Sequence, residues 1–123
     1  MATASHSVYS PLGATIYIDT DATSTVGTVV AGSKILYLVE IDNTNNTSTA
    51  AYLKLFNSTG SITVGTTAPN ESYVAPKGKK VTYAFTGGVT YGTGVKYACV
   101  TDGGGTAGTT SPSNDVTIRI LHS

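Results

Sequence analysis

The sequence predicts an all-β protein, and two observations carry that prediction. Thr, Ser and Gly are abundant, whereas the residue types that favour helices, Glu, Lys, Arg, Gln and Met, are scarce. Short runs of Thr, Val, Ile and Tyr, which suit a pleated and half-buried surface, recur between turn residues every ~8–12 positions. We therefore expect an antiparallel β-sandwich of about 7–8 strands, either immunoglobulin-like or, as the alternative, a jelly roll.

The chain of 123 residues is long enough for one domain. Residues 1–13 have no periodicity and contain Pro11 and Gly13, which predicts an extended N-terminal arm. Residues 14–123 form the β-sandwich domain. Within it, the segments with strand character are 14–19, 26–31, 34–42, 50–57, 61–66, 79–86, 94–101 and 115–121. Residues 42–49 and 102–114 are rich in Asn, Thr, Ser and Gly, so we interpret the first as a polar connection and the second as a long flexible loop.

Alternation within the last three strands indicates which residues face the core. The predicted inward residues are Val81, Tyr83 and Phe85, then Val95, Tyr97 and Cys99, and finally Val116, Ile118 and Ile120. The first strand alternates as well, with Ile16 and Ile18 on one side and Tyr17 and Asp19 on the other.

The two strands in the middle of the chain are apolar on both sides. In the first, unbroken alternation turns Ile35, Tyr37, Val39 and Ile41 toward the core and leaves Leu36 and Leu38 on the solvent side. In the second, Leu53 and Leu55 take one side, and Tyr52 and Phe56 take the other.

The four outward residues Leu36, Leu38, Tyr52 and Phe56 need a cover, because burying each such side chain is worth roughly 1.5–3 kcal/mol. Either the arm or a loop of the same chain covers them, or another subunit or a larger surface does.

The residues that carry chemistry are few and scattered, so we expect no enzyme, no cofactor and no metal. His6 lies in the arm and His122 is the penultimate residue, which does not favour a metal pair or an oriented catalytic base. Cys99 lies on an apolar strand face, where a thiol packs as a small hydrophobe. Asp19 and Asp21 end a strand, and turn capping explains them better than calcium binding does.

Charge argues against two classes of partner. Seven basic residues balance seven acidic ones, and no basic patch is available to neutralise phosphates, so nucleic acid is not expected as a partner. No run approaches the ~20 apolar residues of a membrane span, so no membrane partner is expected either. The N-terminus lacks the charged and apolar regions of a signal peptide.

Several short motifs resemble a known family. These are an Asn-rich turn, a YLKLF strand, a VGTxxP turn, a turn of the VPxG type and a GxxxxTGxxYAxT-like strand. After the Asn-rich turn they occupy Ala51–Asn57, Val64–Pro69, Val74–Gly78 and Gly88–Thr101. Over roughly residues 35–105 the chain is similar to small β-sandwich virion proteins of tailed bacteriophages.

That resemblance implies a non-enzymatic structural protein located in the virion and assembled in the cytoplasm of the bacterial host. It implies a capsid decoration (cement) protein that binds the major capsid protein, or alternatively a neck or tail component. No catalytic residue is carried over. The neutral, Thr-, Ser- and Gly-rich composition suits dense packing of copies, so we expect a homo-oligomer, a trimer or a dimer.

We expect the arm to dock on the capsid or on a neighbouring protomer through Val8, Tyr9 and Leu12. A carbohydrate-binding β-sandwich module is a further alternative, because sugar platforms use exposed aromatic side chains, the chain has eight tyrosines, and Tyr91 is expected in a glycine-flanked loop.

Overall fold

A computed structural model describes the backbone of residues 4–9 and all of residues 14–123. In this part of the chain nine strands and no helix are found. The strands are β1 (Ala4–Tyr9), β2 (Ala14–Asp19), β3 (Gly27–Ala31), β4 (Lys34–Asp42), β5 (Ala51–Asn57), β6 (Glu71–Ala75), β7 (Lys80–Tyr91), β8 (Gly94–Val100) and β9 (Thr117–His122). They form a five-stranded sheet in the order β1-β2-β9-β4-β7 and a four-stranded sheet in the order β3-β8-β5-β6, both antiparallel. The predicted antiparallel β-sandwich is confirmed.

The strand order from β2 onward is that of a jelly roll. The pairs are nested along the chain: β2 with β9, β3 with β8, β4 with β7 and β5 with β6. One long hairpin folded over itself in this way forms the two Greek keys of a double-sheet jelly roll. An immunoglobulin-like sandwich keeps its first two strands in one sheet, whereas β2 and β3 lie in different sheets. The immunoglobulin-like order is therefore wrong, and the jelly-roll alternative is correct.

Residues 4–9 of the predicted arm are extended, and they pair with the chain's own domain. Strand β1 runs antiparallel to β2, from Ala4 opposite Asp19 to Tyr9 opposite Ala14, and forms one edge of the five-stranded sheet. The side chains of Val8 and Tyr9 and the whole of Leu12 lie outside the described residues, so their predicted contacts stay predictions.

The core fills the space between the two sheets. The predicted inward residues of β8 and of segment 115–121 are buried, and Val81, Tyr83 and Phe85 of β7 pack against the core. Leu53 and Leu55 complete the layer from β5. Burial of such side chains is the main favourable contribution to folding, roughly 1.5–3 kcal/mol for each.

A bulge in β4 at Tyr37 changes the side on which Leu36 lies. Leu36 pairs with His122 and Leu38 pairs with Leu121, and these two partners are adjacent on β9, so Tyr37 is an extra residue of β4. A bulge shifts the alternation of the strand, and Leu36 is therefore fully buried in the core instead of facing solvent. The prediction for Leu36 assumed unbroken alternation and is wrong.

The same bulge moves two residues that were predicted to face the core. Ile35 and Tyr37 are only half-buried, and both lie against Gly88. A Cβ on Gly88 would come within 2.2 Å of Ile35 Cγ2 and 3.3 Å of Tyr37 Cδ1. Gly88 also has a positive φ of 81°, which lets β7 continue beyond its predicted end at residue 86.

The segment predicted as a strand at 61–66 is a turn. The backbone N–H groups of Thr66 and Thr67 donate to the carbonyl of Thr63, at 3.0 and 2.8 Å, and Gly65 has a φ of +93°. A left-handed residue at this point closes a turn and ends any strand pairing. Strand β6, which follows, pairs with β5 instead.

Candidate interaction surface

The outer face of the five-stranded sheet carries a row of apolar side chains across four strands. Ile16 on β2 lies opposite Leu121 on β9, Leu121 lies opposite Leu38 on β4, and Leu38 lies opposite Ala84 on β7. These residues point outward because their strand neighbours fill the core. The three large side chains are half-buried, and Ala84 is exposed. With strands about 4.8 Å apart, the row is roughly 15 Å wide.

A charged row runs beside the apolar one. Arg119 on β9 lies opposite Glu40 on β4, and its Nη1 donates to Glu40 Oε1 at 2.8 Å. Lys80 Nζ lies 3.7 Å from the same oxygen, and the hydroxyl of Thr82 donates to Oε2 at 3.3 Å. The Arg119 side chain is 40% exposed. Surface ion pairs contribute only ~0–1 kcal/mol to stability, so this row matters more for the charge it presents than for the fold.

No described loop is tied by a side-chain hydrogen bond across this face. The side-chain bonds of its charged row join neighbouring strands only. We call it the uncovered face, defined by Ile16, Leu38, Ala84, Leu121 and the charged row beside them.

The opposite outer face, on the four-stranded sheet, is closed by the chain itself. Lys54 projects from β5 on this side and is fully buried. Its Nζ donates to the carbonyls of Thr106, Ala107 and Gly108 at 3.2, 2.8 and 3.1 Å, which uses all three ammonium protons. Burial lowers the pKa of the Lys54 ammonium, and the nearby Asp102 carboxylate opposes that shift.

Asp102 shapes the loop that Lys54 holds. Its carboxylate accepts the backbone N–H groups of Thr109 and Thr110, at 3.1 and 3.0 Å, and the Thr110 hydroxyl at 3.0 Å. These hydrogen bonds lower the pKa of the Asp102 carboxyl, with the Thr110 backbone contributing most. The loop at 102–114 lies over the sheet and is hydrogen-bonded to it through Lys54, and its predicted flexibility stays a prediction.

A second segment, residues 58–70, completes this cover. Lys96 Nζ donates to the carbonyl of Gly60 at 2.7 Å and ties the segment to β8. The two loops meet where a Cβ on Gly65 would come within 2.5 Å of Thr109 Cγ2. Beneath them Phe56 is 1% exposed. We call this the closed face.

The four residues predicted to need a cover therefore have different environments. Leu36 lies in the core and Phe56 lies beneath the closed face, so neither is available as a contact residue. Tyr52 is half-buried on the same side as Phe56, with its ring beside Gly104. Only Leu38 lies on the uncovered face. A cover from within the chain, one of the two alternatives, is correct for Phe56.

The uncovered face also contains two residues that sequence reasoning missed as contacts. Leu121 follows the inward Ile120, and the alternation already placed it outside. Ile16 lies on the same side of β2 as Ile18. From the sequence, two isoleucines on one side of a strand are as consistent with a core-facing side as with an outward one. The buried residues of β2 are Ala14, Tyr17 and Asp19.

A buried tyrosine–carboxylate cluster lies at one end of the sandwich. The Tyr97 hydroxyl donates to Asp19 Oδ2 and lies 2.7 Å from the Tyr17 hydroxyl. Asp19 Oδ1 accepts the backbone N–H of Asp21 at 2.9 Å. Burial, together with the hydrogen bond to Asp19, raises the pKa of Tyr97 well above its usual range. A cavity of about 470 Å³ lies beside this cluster. Both oxygens of Asp19 already have donors, so the cluster acts as a structural clamp.

A second cluster concerns the tyrosine named for glycan binding. Tyr91 is buried at the end of β7, and its hydroxyl donates to Glu71 Oε1 at 2.7 Å. Tyr73 donates to the other oxygen of Glu71 at 2.8 Å. Tyr91 is therefore part of the fold, and the expectation of an accessible loop tyrosine is wrong.

Groups with catalytic or ligand-binding potential are sparse among the described residues. In that part of the chain no three His, Cys, Asp or Glu side chains are grouped so that they could hold a metal ion. Burial raises the pKa of the Cys99 thiol to about 12, which keeps it protonated at neutral pH. The described residues also include no helix of the length and apolarity that a membrane crossing requires.

No protein-family model, curated protein or solved structure matches the chain.

Proposed function

We propose that this protein is a non-enzymatic structural component of a bacteriophage virion, and that it acts as a capsid decoration (cement) protein. In this role it binds the major capsid protein or another virion protein and stabilises the shell. It works as one of many identical copies, placed in the virion during assembly in the bacterial cytoplasm.

The observation that carries the proposal is the difference between the two outer faces. Two loops fold over one face, and no loop among the described residues folds over the apolar row Ile16–Leu121–Leu38 of the other. Contiguous apolar side chains beside a polar or charged border are typical of protein contact sites. The jelly roll agrees with this reading at the level of analogy only, because viral capsid domains, lectins and cupins share it.

The role can be tested on particles. Purified protein is added to particles that lack it, and occupancy is measured by quantitative mass spectrometry, with cryo-electron microscopy locating the bound copies. We expect wild type to bind the shell and the double variant Leu38→Lys with Leu121→Lys to lose at least about tenfold in affinity, since charges replace the centre of the contact. The matched control is Ala31→Lys with Ala68→Lys, which adds the same charge at two exposed positions elsewhere.

The outcomes separate the alternatives. Density on the capsid surface that disappears in the Leu38 and Leu121 variant supports a decoration protein. Density at the neck or tail assigns it to the alternative role. Particles that never take up the wild-type protein contradict a virion role altogether.

A further inference from the structure

We propose that the uncovered face pairs with the same face of a second copy of this chain, about a two-fold axis that runs parallel to the strands midway between β9 and β4. This inference rests on the proposed function and names the partner of that surface: neighbouring copies on the shell pair through it, and the Leu38 and Leu121 variant loses occupancy because paired copies are retained more tightly than single ones. Two-fold pairing is the commonest form of self-association, and it requires a surface complementary to itself.

The apolar row meets that requirement. A two-fold axis parallel to the strands keeps each residue at its height along the axis and exchanges the strands on either side of it. It therefore places β9 over the partner's β4 and β2 over the partner's β7. Leu121 then faces the partner's Leu38, and Ile16 faces the partner's Ala84. Large side chains opposite small or aliphatic ones can interdigitate as they do between two packed sheets, whose mean strand directions stay within about 30° of each other.

The charged row selects the position of the axis. Midway between β9 and β4, the operation places Arg119 over the partner's Glu40 and Glu40 over the partner's Arg119. An axis along β9 would place Arg119 over the partner's Arg119, and an axis along β4 would place Glu40 over the partner's Glu40. Juxtaposed like charges at an interface oppose binding, so the charge pattern excludes both of those arrangements.

The intramolecular bond between Arg119 and Glu40 does not prevent this use. Arg119 is 40% exposed and has donors beyond the Nη1 that contacts Glu40 at 2.8 Å. In the pair of copies, each Arg119 can bridge its own Glu40 and the partner's, so four charges of alternating sign form one network. Networks of this kind contribute more than isolated surface pairs do.

A charge-reversal experiment tests the pairing directly. Glu40→Arg presents two arginines in the row, and Arg119→Glu presents two glutamates. Each variant alone should repel its own copy, whereas an equimolar mixture should associate. Sedimentation velocity and native mass spectrometry, with the two variants made distinguishable by a mass tag, measure the homotypic and mixed dimers.

We expect wild type to form dimers, each single variant to weaken its homodimer at least about tenfold, and the mixture to return to within about threefold of wild type. Lys77→Glu, a charge reversal at an exposed turn away from the face, should dimerise as wild type does. Leu121→Lys is a second variant that should stay monomeric, and thermal unfolding of each variant establishes that it is folded.

Three results would overturn the pairing: a wild-type protein that stays monomeric at millimolar concentration, dimers that persist in both charge variants, or a mixture that does not reassociate. Failure here is distinct from failure of the virion role. A monomer that still occupies particles overturns the pairing alone and leaves another virion protein as the partner of the face. A dimer that particles never take up overturns the virion role alone.

Discussion

The two outer faces of the sandwich both present apolar side chains, yet within residues 14–123 loops cover only one of them. On the closed face the connections after β5 and β8 are long, and both fold back over the four-stranded sheet above Phe56. On the uncovered face no described connection is bonded across the row that contains Leu38. An outward apolar residue is therefore structural on one face and a candidate contact on the other, and the long loops make that difference.

The largest expected effect contrasts the same substitution on the two faces. Phe56→Lys places a charge beneath the closed face and removes a buried ring, so it should cost roughly 3 kcal/mol or more of unfolding free energy. Leu38→Lys leaves the new ammonium in water, so it should lower the free energy of unfolding by no more than about 1 kcal/mol. Urea denaturation of both variants provides the comparison, and equal losses would show that the two faces are covered alike.

A second experiment loosens the cover itself. Lys54→Met removes the ammonium that three loop carbonyls share, and leaving buried acceptors unpaired costs about 1–3 kcal/mol. We expect backbone amides of residues 101–115 to exchange hydrogen faster, with β9 unaffected. The matched control is Lys96→Met. Lys96 is half-buried and binds one carbonyl, that of Gly60, so this substitution should lower the free energy of unfolding by less than about 1 kcal/mol. Equal exchange in wild type and Lys54→Met would mean that other bonds hold the cover.

The third prediction concerns pH and distinguishes the interior from both faces. Burial raises the pKa of Tyr17, Tyr91, Tyr97 and Cys99. A raised pKa in the folded state means that the unfolded chain releases its protons first as pH rises. The stability from these groups is therefore complete below the unfolded values of ~8.5 for Cys and ~10 for Tyr, and it falls above them.

Urea midpoints measured from about pH 7 to about pH 11, followed with tyrosinate absorbance, should show this decline. Cys99→Ala should remove the part of this decline that begins near the unfolded pKa of Cys, about 8.5. Lys54 acts in the opposite direction because its pKa is lowered, so Lys54→Met measured in parallel should decline more steeply. A midpoint that stays constant through this range would contradict the burial of these tyrosines.

Much of the fold could be predicted because local patterns are sufficient for strands. Segments 14–19 and 34–42 have the predicted bounds, and β8 carries its predicted inward residues Val95, Tyr97 and Cys99. The position of Leu36 could not be predicted, because a bulge involves residues of two strands and leaves no mark on the alternation of one. The strand predicted at 61–66 was also wrong. Its Ile, Thr and Val favour a strand by composition, but the left-handed conformation of Gly65 makes the segment a turn.

For the candidate surface, the sequence indicated only that some outward apolar residues needed a cover. Leu38 and Phe56 are equivalent by pattern, and they differ in whether a loop lies above them. Lys54 is the sharpest example, because a lysine between two leucines reads as a solvated side chain and is in fact completely buried. Its partners are backbone carbonyls more than fifty residues away, which carry no signature in the sequence.

By itself, the sequence determined the fold class, the approximate strands and most of the inward residues, because these follow from alternation and turn chemistry between near neighbours. Only the tertiary structure decided the jelly-roll order, the bulge at Tyr37 and the loops that close one face, because each depends on pairings between residues distant in the chain. The same long-range pairings bring Ile16, Leu121 and Leu38 from three separate strands into a single row.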